Sequence, residues 1–186
     1  SKKLTLIHTR LSIVDLESGN QPIENEKYVL VANGEIYNDL DIRKVNKSYK
    51  FLTNSDSESI LALYDKYGVN GFSRLRGMFA FVIFDKKRNE VILARDEFGI
   101  KPLYFSLEEE GIIFCSELNP IKLIRNKKSN INNFKVNEVM QLQYCSGTET
   151  IFEGINRIAP GQTLTIKDGQ ITSSITNSLP EKKENN

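Results

Sequence analysis

Phe79-Ala80-Phe81-Val82-Ile83-Phe84 forms the body of the longest unbroken apolar run in the sequence, which Gly77 and Asp85 bound. It is far too short to cross a bilayer and has the length of a strand, so it predicts a strand covered on both faces. The polar stretch Lys86-Lys87-Arg88-Asn89 separates it from Glu90-Val91-Ile92-Leu93-Ala94, a second β-branched run at hairpin distance, which predicts antiparallel pairing. Pro102 to Ser106 and Gly111 to Cys115 repeat the arrangement around the acidic turn Glu108-Glu109-Glu110. Leu4 to Val14 and Tyr28 to Ala32 also read as strands. Strands this apolar need cover on both faces, so the expected class is α+β, with antiparallel sheets covered by helices.

The clearest covering helix runs from Asp56 to Tyr67, where Ile60, Leu61, Leu63, Tyr64 and Tyr67 recur at helical spacing. Ser55 and Glu58 have capping-box spacing, and Gly68 stands where a left-handed C-terminal cap belongs. Weaker helices are expected after Glu35, after Glu117 and from Phe134 to Leu142, with a polar loop at Arg125 to Asn130. Pro160-Gly161 turns the chain into Gln162 to Lys167, and Asp168-Gly169 is a hairpin signal back to Gln170-Ile171-Thr172. Residues 1–172 read as one domain. Residues 173–186 are polar and aperiodic, and read as a tail or linker. There is no internal repeat.

The chain has 186 residues, with 25 Lys and Arg against 24 Asp and Glu, so its net charge of +1 gives no electrostatic reason to expect nucleic acid or anionic lipid. Cys115 and Cys145 cannot build a disulfide framework, and with His8 as the single histidine no Cys/His cluster closes a zinc site. A reducing, cytoplasmic compartment is expected. The start carries neither a signal nor a transit peptide, lacks an initiator Met and runs into a strand pattern, which reads as an interrupted beginning.

No phosphate-cradling glycine loop, metal-spaced carboxylate set or nucleophile elbow is present. What stands out is a scattered set: Arg10, Asn33-Gly34-Glu35 at the end of a buried strand, and Asp56 at a helix start. A guanidinium grips a carboxylate, carboxylates accept from an ammonium, and an amide beside a glycine N–H stabilises an oxyanion, so these groups suit a small zwitterion. Each has a plainer reading as well. Asn-Gly is a standard hairpin turn, although Glu35 to Leu40 reads as a loop entering a helix. Asp56 complements a helix dipole in either case. Arg95 and Asp96, before Gly99, read as a structural ion pair and turn, and His8 as a packed, hydrogen-bonded histidine. The runs Glu108 to Glu110 and Lys86 to Arg88 read as solvated turns.

Several segments together resemble one family, the glutamine-hydrolysing domain of asparagine synthetases, a class II glutamine amidotransferase. The segments are His8 to Asp15, Ala32 to Asn38, Ser55 to Glu58, Gly77 to Phe81, Ala94 to Tyr104 and Ser116-Glu117, and their order and spacing match from Leu4 to about Ile171. The resemblance implies a four-layer αββα N-terminal-nucleophile hydrolase fold, truncated at the N-terminus. It implies L-glutamine as ligand, with Arg10 on the α-carboxylate, Glu35 and Asp56 on the α-ammonium, and Asn33 and Gly34 as the oxyanion hole. The family's nucleophile is an N-terminal Cys in a Met-Cys-Gly start, with its own α-amine as base. Neither Cys115 nor Cys145 has a free α-amine, so the chain as given is expected to be inactive. The family context also implies a synthetase domain using ATP and Mg2+ to amidate aspartate, in a parent for which a homodimer is among the assemblies allowed. A non-catalytic glutamine-binding or interaction module, or the amidotransferase domain of a synthetase with another acceptor, are the alternatives.

Overall fold

The long apolar run becomes β3 (Gly77–Asp85), the strand around which the other layers are arranged. The structure is a computed structural model and describes residues 5–8, 20–109, 111–125 and 128–177. Before β3 come β1 (Ile23–Glu24), β2 (Tyr28–Ile36), α1 (Asp39–Val45), α2 (Glu58–Tyr67) and a 3₁₀ segment (Gly68–Arg74). After it come β4 (Glu90–Arg95), β5 (Tyr104–Glu108), β6 (Gly111–Cys115), α3 (Leu118–Ile124), α4 (Asn133–Leu142), β7 (Asn156–Arg157), β8 (Gln162–Lys167) and β9 (Gln170–Thr176). A six-stranded sheet has the order β1-β2-β3-β4-β8-β9, and a three-stranded sheet the order β6-β5-β7, every pairing antiparallel.

Strand parity assigns the layers. On β2, β3 and β4, Leu30, Ala32, Phe79, Phe81, Ile83, Ile92 and Ala94 pack with Ile60, Leu61, Leu63 and Tyr64 of α2 and with Phe72. The alternate residues Val31, Ala80, Val82 and Leu93 pack with Leu164 and Ile166 of β8 and with Leu103, Phe105 and Ile158. The far side of the smaller sheet, through Tyr104, Ile113 and Cys115, packs with Leu118 and Ile121 of α3. Because a strand turns successive side chains to opposite faces, β3 is apolar from Met78 to Phe84 and serves two cores at once. Helix, sheet, sheet and helix therefore stack as the expected αββα layers.

Several local expectations need correction. Thr5 to His8 form no strand, and the rest of the strand expected up to Val14 lies outside the described residues. The second expected strand does not stop at Ala32 but runs through Asn33, Gly34 and Glu35 to Ile36, because Gly34 to Ile36 stay in register with Phe79 to Gly77. Helix α2 starts at Glu58, and the capping box is not made: the N-cap Ser57 has no side-chain capping bond, and the Glu58 carboxylate is engaged elsewhere. Strand β9 continues to Thr176, past the expected end of order at Thr172, because Gln162 to Thr165 pair with Thr176 to Ser173. Residues 178–186 of the expected tail lie outside the described residues. Glu108 and Lys86 are not simply solvated, since Glu108 accepts from Arg125 Nε at 2.8 Å and Lys86 Nζ donates to Glu24 at 2.6 Å.

Candidate functional site

The site is built at the C-terminal end of β2, where the strand outruns β1. In the antiparallel ladder, alternate residues turn their N–H and C=O to the same edge. On β2 the even-numbered residues face away from β3. Leu30 pairs with Ile23 of β1, Ala32 is met by the Gln21 side chain, and the Ile36 N–H donates to Asp56 Oδ2 at 2.6 Å. Gly34 has the same parity and lies on this edge between the residues held by Gln21 and Asp56, where no described strand pairs with it.

Gly34 is required here for two independent reasons. Its φ is +139°, and a Cβ would stand 1.9 Å from the Met78 carbonyl oxygen. Gly77, opposite Ile36, is equally constrained, since a Cβ there would lie 2.1 Å from the Glu35 carbonyl oxygen. The two strands thus approach closely at the site end. Asn33 and Glu35 flank Gly34 and share the parity of Val31, whose side chain packs between the sheets; Asn33 is exposed and Glu35 half-buried.

Asp56 lies in the turn before α2, and two helices hold that turn. Arg43 of α1 donates to Thr53 O at 3.0 Å and to Ser55 O at 2.6 Å, while Asp39 accepts from Arg43 Nε at 2.8 Å and from Ser59 Oγ. From the other side, the fully buried Glu58 accepts from Leu52 N, Thr53 N and Thr53 Oγ1 at 2.7–2.8 Å. Burial raises the Asp56 pKa above the ordinary carboxylate range, opposed by hydrogen bonds from the Ile36 and Ser57 backbone and reinforced by the nearby Asp39.

The structure therefore brings Asn33, Gly34, Glu35 and Asp56 to one strand end, while Arg10 lies outside the described residues. Arg95 and Asp96 are structural, though each acts on the backbone. Arg95 donates to the carbonyls of Lys101, Ile158 and Gly99, and Asp96 accepts from the N–H groups of Phe79, Phe98, Ile100 and Lys101. Sequence reasoning missed Gln21 and Arg43, and read Glu58 as a capping-box partner rather than as the buried acceptor for Leu52 and Thr53. A separate cleft of about 390 Å³ at the start of α3, lined by Tyr104, Glu117, Leu118 and Phe152 among others, contains none of these residues.

The glutamine amidotransferase domain family matches residues 1–177. This chain belongs to that family. Asparagine synthetase (glutamine-hydrolyzing) 1 of Bacillus subtilis (strain 168) is 39% identical to this amidotransferase domain over 168 residues, covering 88% of the chain and 26% of the relative. Asparagine synthetase B (glutamine-hydrolyzing) of Escherichia coli (strain K12) is 43% identical over 119 residues, 62% of the chain and 22% of the relative. Amidase chry2 of Gibberella zeae is 36% identical over 162 residues, 84% of the chain and 23% of the relative. The chain thus spans about a quarter of the length of these curated relatives. Among solved structures, the glutamine phosphoribosylpyrophosphate amidotransferase from B. subtilis, complexed with ADP and GMP, shares the fold. It matches with a TM-score of 0.54 at 22% identity, covering 84% of this chain and 31% of that one.

Proposed function

We propose that this domain binds free L-glutamine at the open end of β2 and, when joined to an N-terminal cysteine, hydrolyses its side-chain amide to supply ammonia. In this reading Arg10 receives the α-carboxylate, while Glu35 and Asp56 hold the α-ammonium. The thiolate attacks the amide carbon, and the negative charge moving onto the carbonyl oxygen is met by the Asn33 side-chain amide and the Gly34 N–H. The thiol proton passes through the cysteine's α-amine to the leaving nitrogen, ammonia departs, and water cleaves the thioester to glutamate. The supporting observation is the bracketed Gly34, set between Ala32, held by the Gln21 side chain, and Ile36, held by the half-buried Asp56 carboxylate, with the exposed Asn33 beside it.

The relatives named as glutamine-hydrolyzing asparagine synthetases support a parent protein of that kind; in this reading its synthetase domain uses ATP and Mg2+ to amidate aspartate, in the cytoplasm. The match to a fungal amidase carries a second reading, in which the same glutaminase site serves another acceptor. Calorimetry on the 186-residue chain tests the site itself. L-Glutamine is expected to bind, and 4-carbamoylbutanoate, which lacks the α-ammonium, to bind at least tenfold more weakly. No glutamate is expected to be released, because the cysteine is not among residues 1–186. Equal affinity for the two compounds would remove Glu35 and Asp56 from the ammonium site.

A further inference from the structure

We infer that Gln21 is a positioning residue for the oxyanion hole, holding the Asn33–Gly34 peptide in place through the backbone of Ala32. Its side chain satisfies both backbone groups of Ala32: Oε1 accepts from the Ala32 N–H at 2.6 Å and Nε2 donates to the Ala32 carbonyl at 2.8 Å. A primary amide presents a donor and an acceptor side by side, so one side chain reproduces the pairing that a neighbouring strand would give. It does so where β1 has ended, β1 having paired only with Val29 and Leu30.

The consequence falls on the next two residues. Ala32 is the last position of the β2 outer edge before Asn33 and Gly34, and Ile36, two residues beyond Gly34, is held by Asp56 at 2.6 Å. On the opposite edge, the register with Phe79 to Ala80 of β3 is itself held by Asp96, which accepts from the Phe79 N–H and donates its own N–H to Phe79 O at 2.8 Å. Gly34 lacks a Cβ and tolerates wide backbone rotation, so its N–H is aimed by what is pinned on either side of it. His8 adds a second contact, its Nε2 lying 3.0 Å from the Ala32 carbonyl; a carbonyl only accepts, so that nitrogen carries the proton. The Ala32 N–H, in contrast, is met by Gln21.

A donor aimed at a developing oxyanion acts in the transition state more than in the ground state, so its displacement lowers kcat and spares substrate affinity. This inference rests on the assignment of Asn33 and Gly34 as the oxyanion hole, and the experiment separates the two. In the full-length natural protein, glutamine hydrolysis is measured for Gln21→Met, Asn33→Ala and the double variant. Gln21→Met is expected to lower kcat roughly tenfold to a hundredfold with KM for glutamine changed less than threefold. The double variant is expected to be no slower than Asn33→Ala by more than about threefold, because both act on one group. A fall in kcat for Asn33→Ala with none for Gln21→Met overturns the positioning role. An unchanged kcat for Asn33→Ala overturns the oxyanion assignment beneath it. Calorimetric glutamine affinity on the same samples reports folding, since a general structural loss would weaken binding as well. If Gln21→Met does not fold, Gln21→Glu, which keeps an acceptor opposite the Ala32 N–H, carries the same test, and a KM rise without a kcat loss there also overturns the proposal.

Discussion

Asp56 is asked to do two things at once, to close the β2 edge at Ile36 and to present negative charge to a ligand. Replacing it by Asn separates them. The amide oxygen still accepts from the Ile36 N–H, and the cost of the half-buried charge is gone, so thermal melting of Asp56→Asn is expected at or above that of the parent chain. Glutamine affinity is expected to fall about 10- to 100-fold, the value of a hydrogen bond to a charged partner; calorimetry checks it. The pH dependence follows from the raised pKa. With its folded value above its unfolded one, Asp56 contributes stability that is fully present below the unfolded value and lost as pH rises through the folded value. The charged form needed by an ammonium behaves oppositely. Glutamine affinity should therefore weaken on acidification while still above the ordinary carboxylate range, and Asp56→Asn should remove that dependence. Gly34→Ala makes the second residue-scale case. A methyl 1.9 Å from Met78 O, at a φ of +139°, is expected to cost about 3 kcal/mol or more in urea denaturation.

The turn before α2 shows how an element is shaped by neighbours rather than by its own signals. Ser55 and Glu58 have the spacing of a capping box, yet Glu58 turns away to the N–H groups of Leu52 and Thr53, because Arg43 of α1 has drawn the Thr53 and Ser55 carbonyls to its own side. From Glu58 to Tyr64 the helix is buried all round, polar residues included. That burial is affordable only with every acceptor filled. Glu58→Gln keeps the shape but replaces one acceptor oxygen with a donor facing an N–H, and is expected to cost about 1–3 kcal/mol. Faster hydrogen exchange at residues 51–55 than in the parent chain is the accompanying sign, read by mass spectrometry. Helix α4 is held differently: it buries Lys135, whose ammonium donates to Glu138 at 2.9 Å and to Ser146 O at 2.9 Å, while Phe134 and Met140 remain exposed. The Ser146 hydroxyl and the Lys135 ammonium also hold the Glu138 carboxyl down to about 2.

Across the whole molecule, β3 is the shared wall of two cores, with Phe81 and Ile83 facing the helices and Val82 facing the second sheet. Its central amides are expected to exchange only through global unfolding, and those of α4 through local opening, a contrast that hydrogen-exchange mass spectrometry resolves. Much of this was legible in the sequence. The run from Phe79 to Phe84 demanded two-sided cover, the hairpins at 86–89 and 168–169 formed where their polar turns stand, and Asn33, Gly34, Glu35 and Asp56 stand out by residue type alone. These are local properties, set by side-chain periodicity and turn chemistry, and one chain segment is enough to express them. What the tertiary structure alone decided is which edges and cavities those segments share. Asn33-Gly34 could have been a hairpin turn; pairing with Phe79 and Ala80 made it strand. Gln21, an unremarkable amide by itself, acquires its role because β1 pairs only with Val29 and Leu30 and the Gln21 side chain meets Ala32 beyond them, and Glu58 is buried because α1 and the turn at 51–55 close over it. A hydrogen-bonding group has no preference among distant partners until the fold removes water from around it, and that removal is a property of the assembled layers.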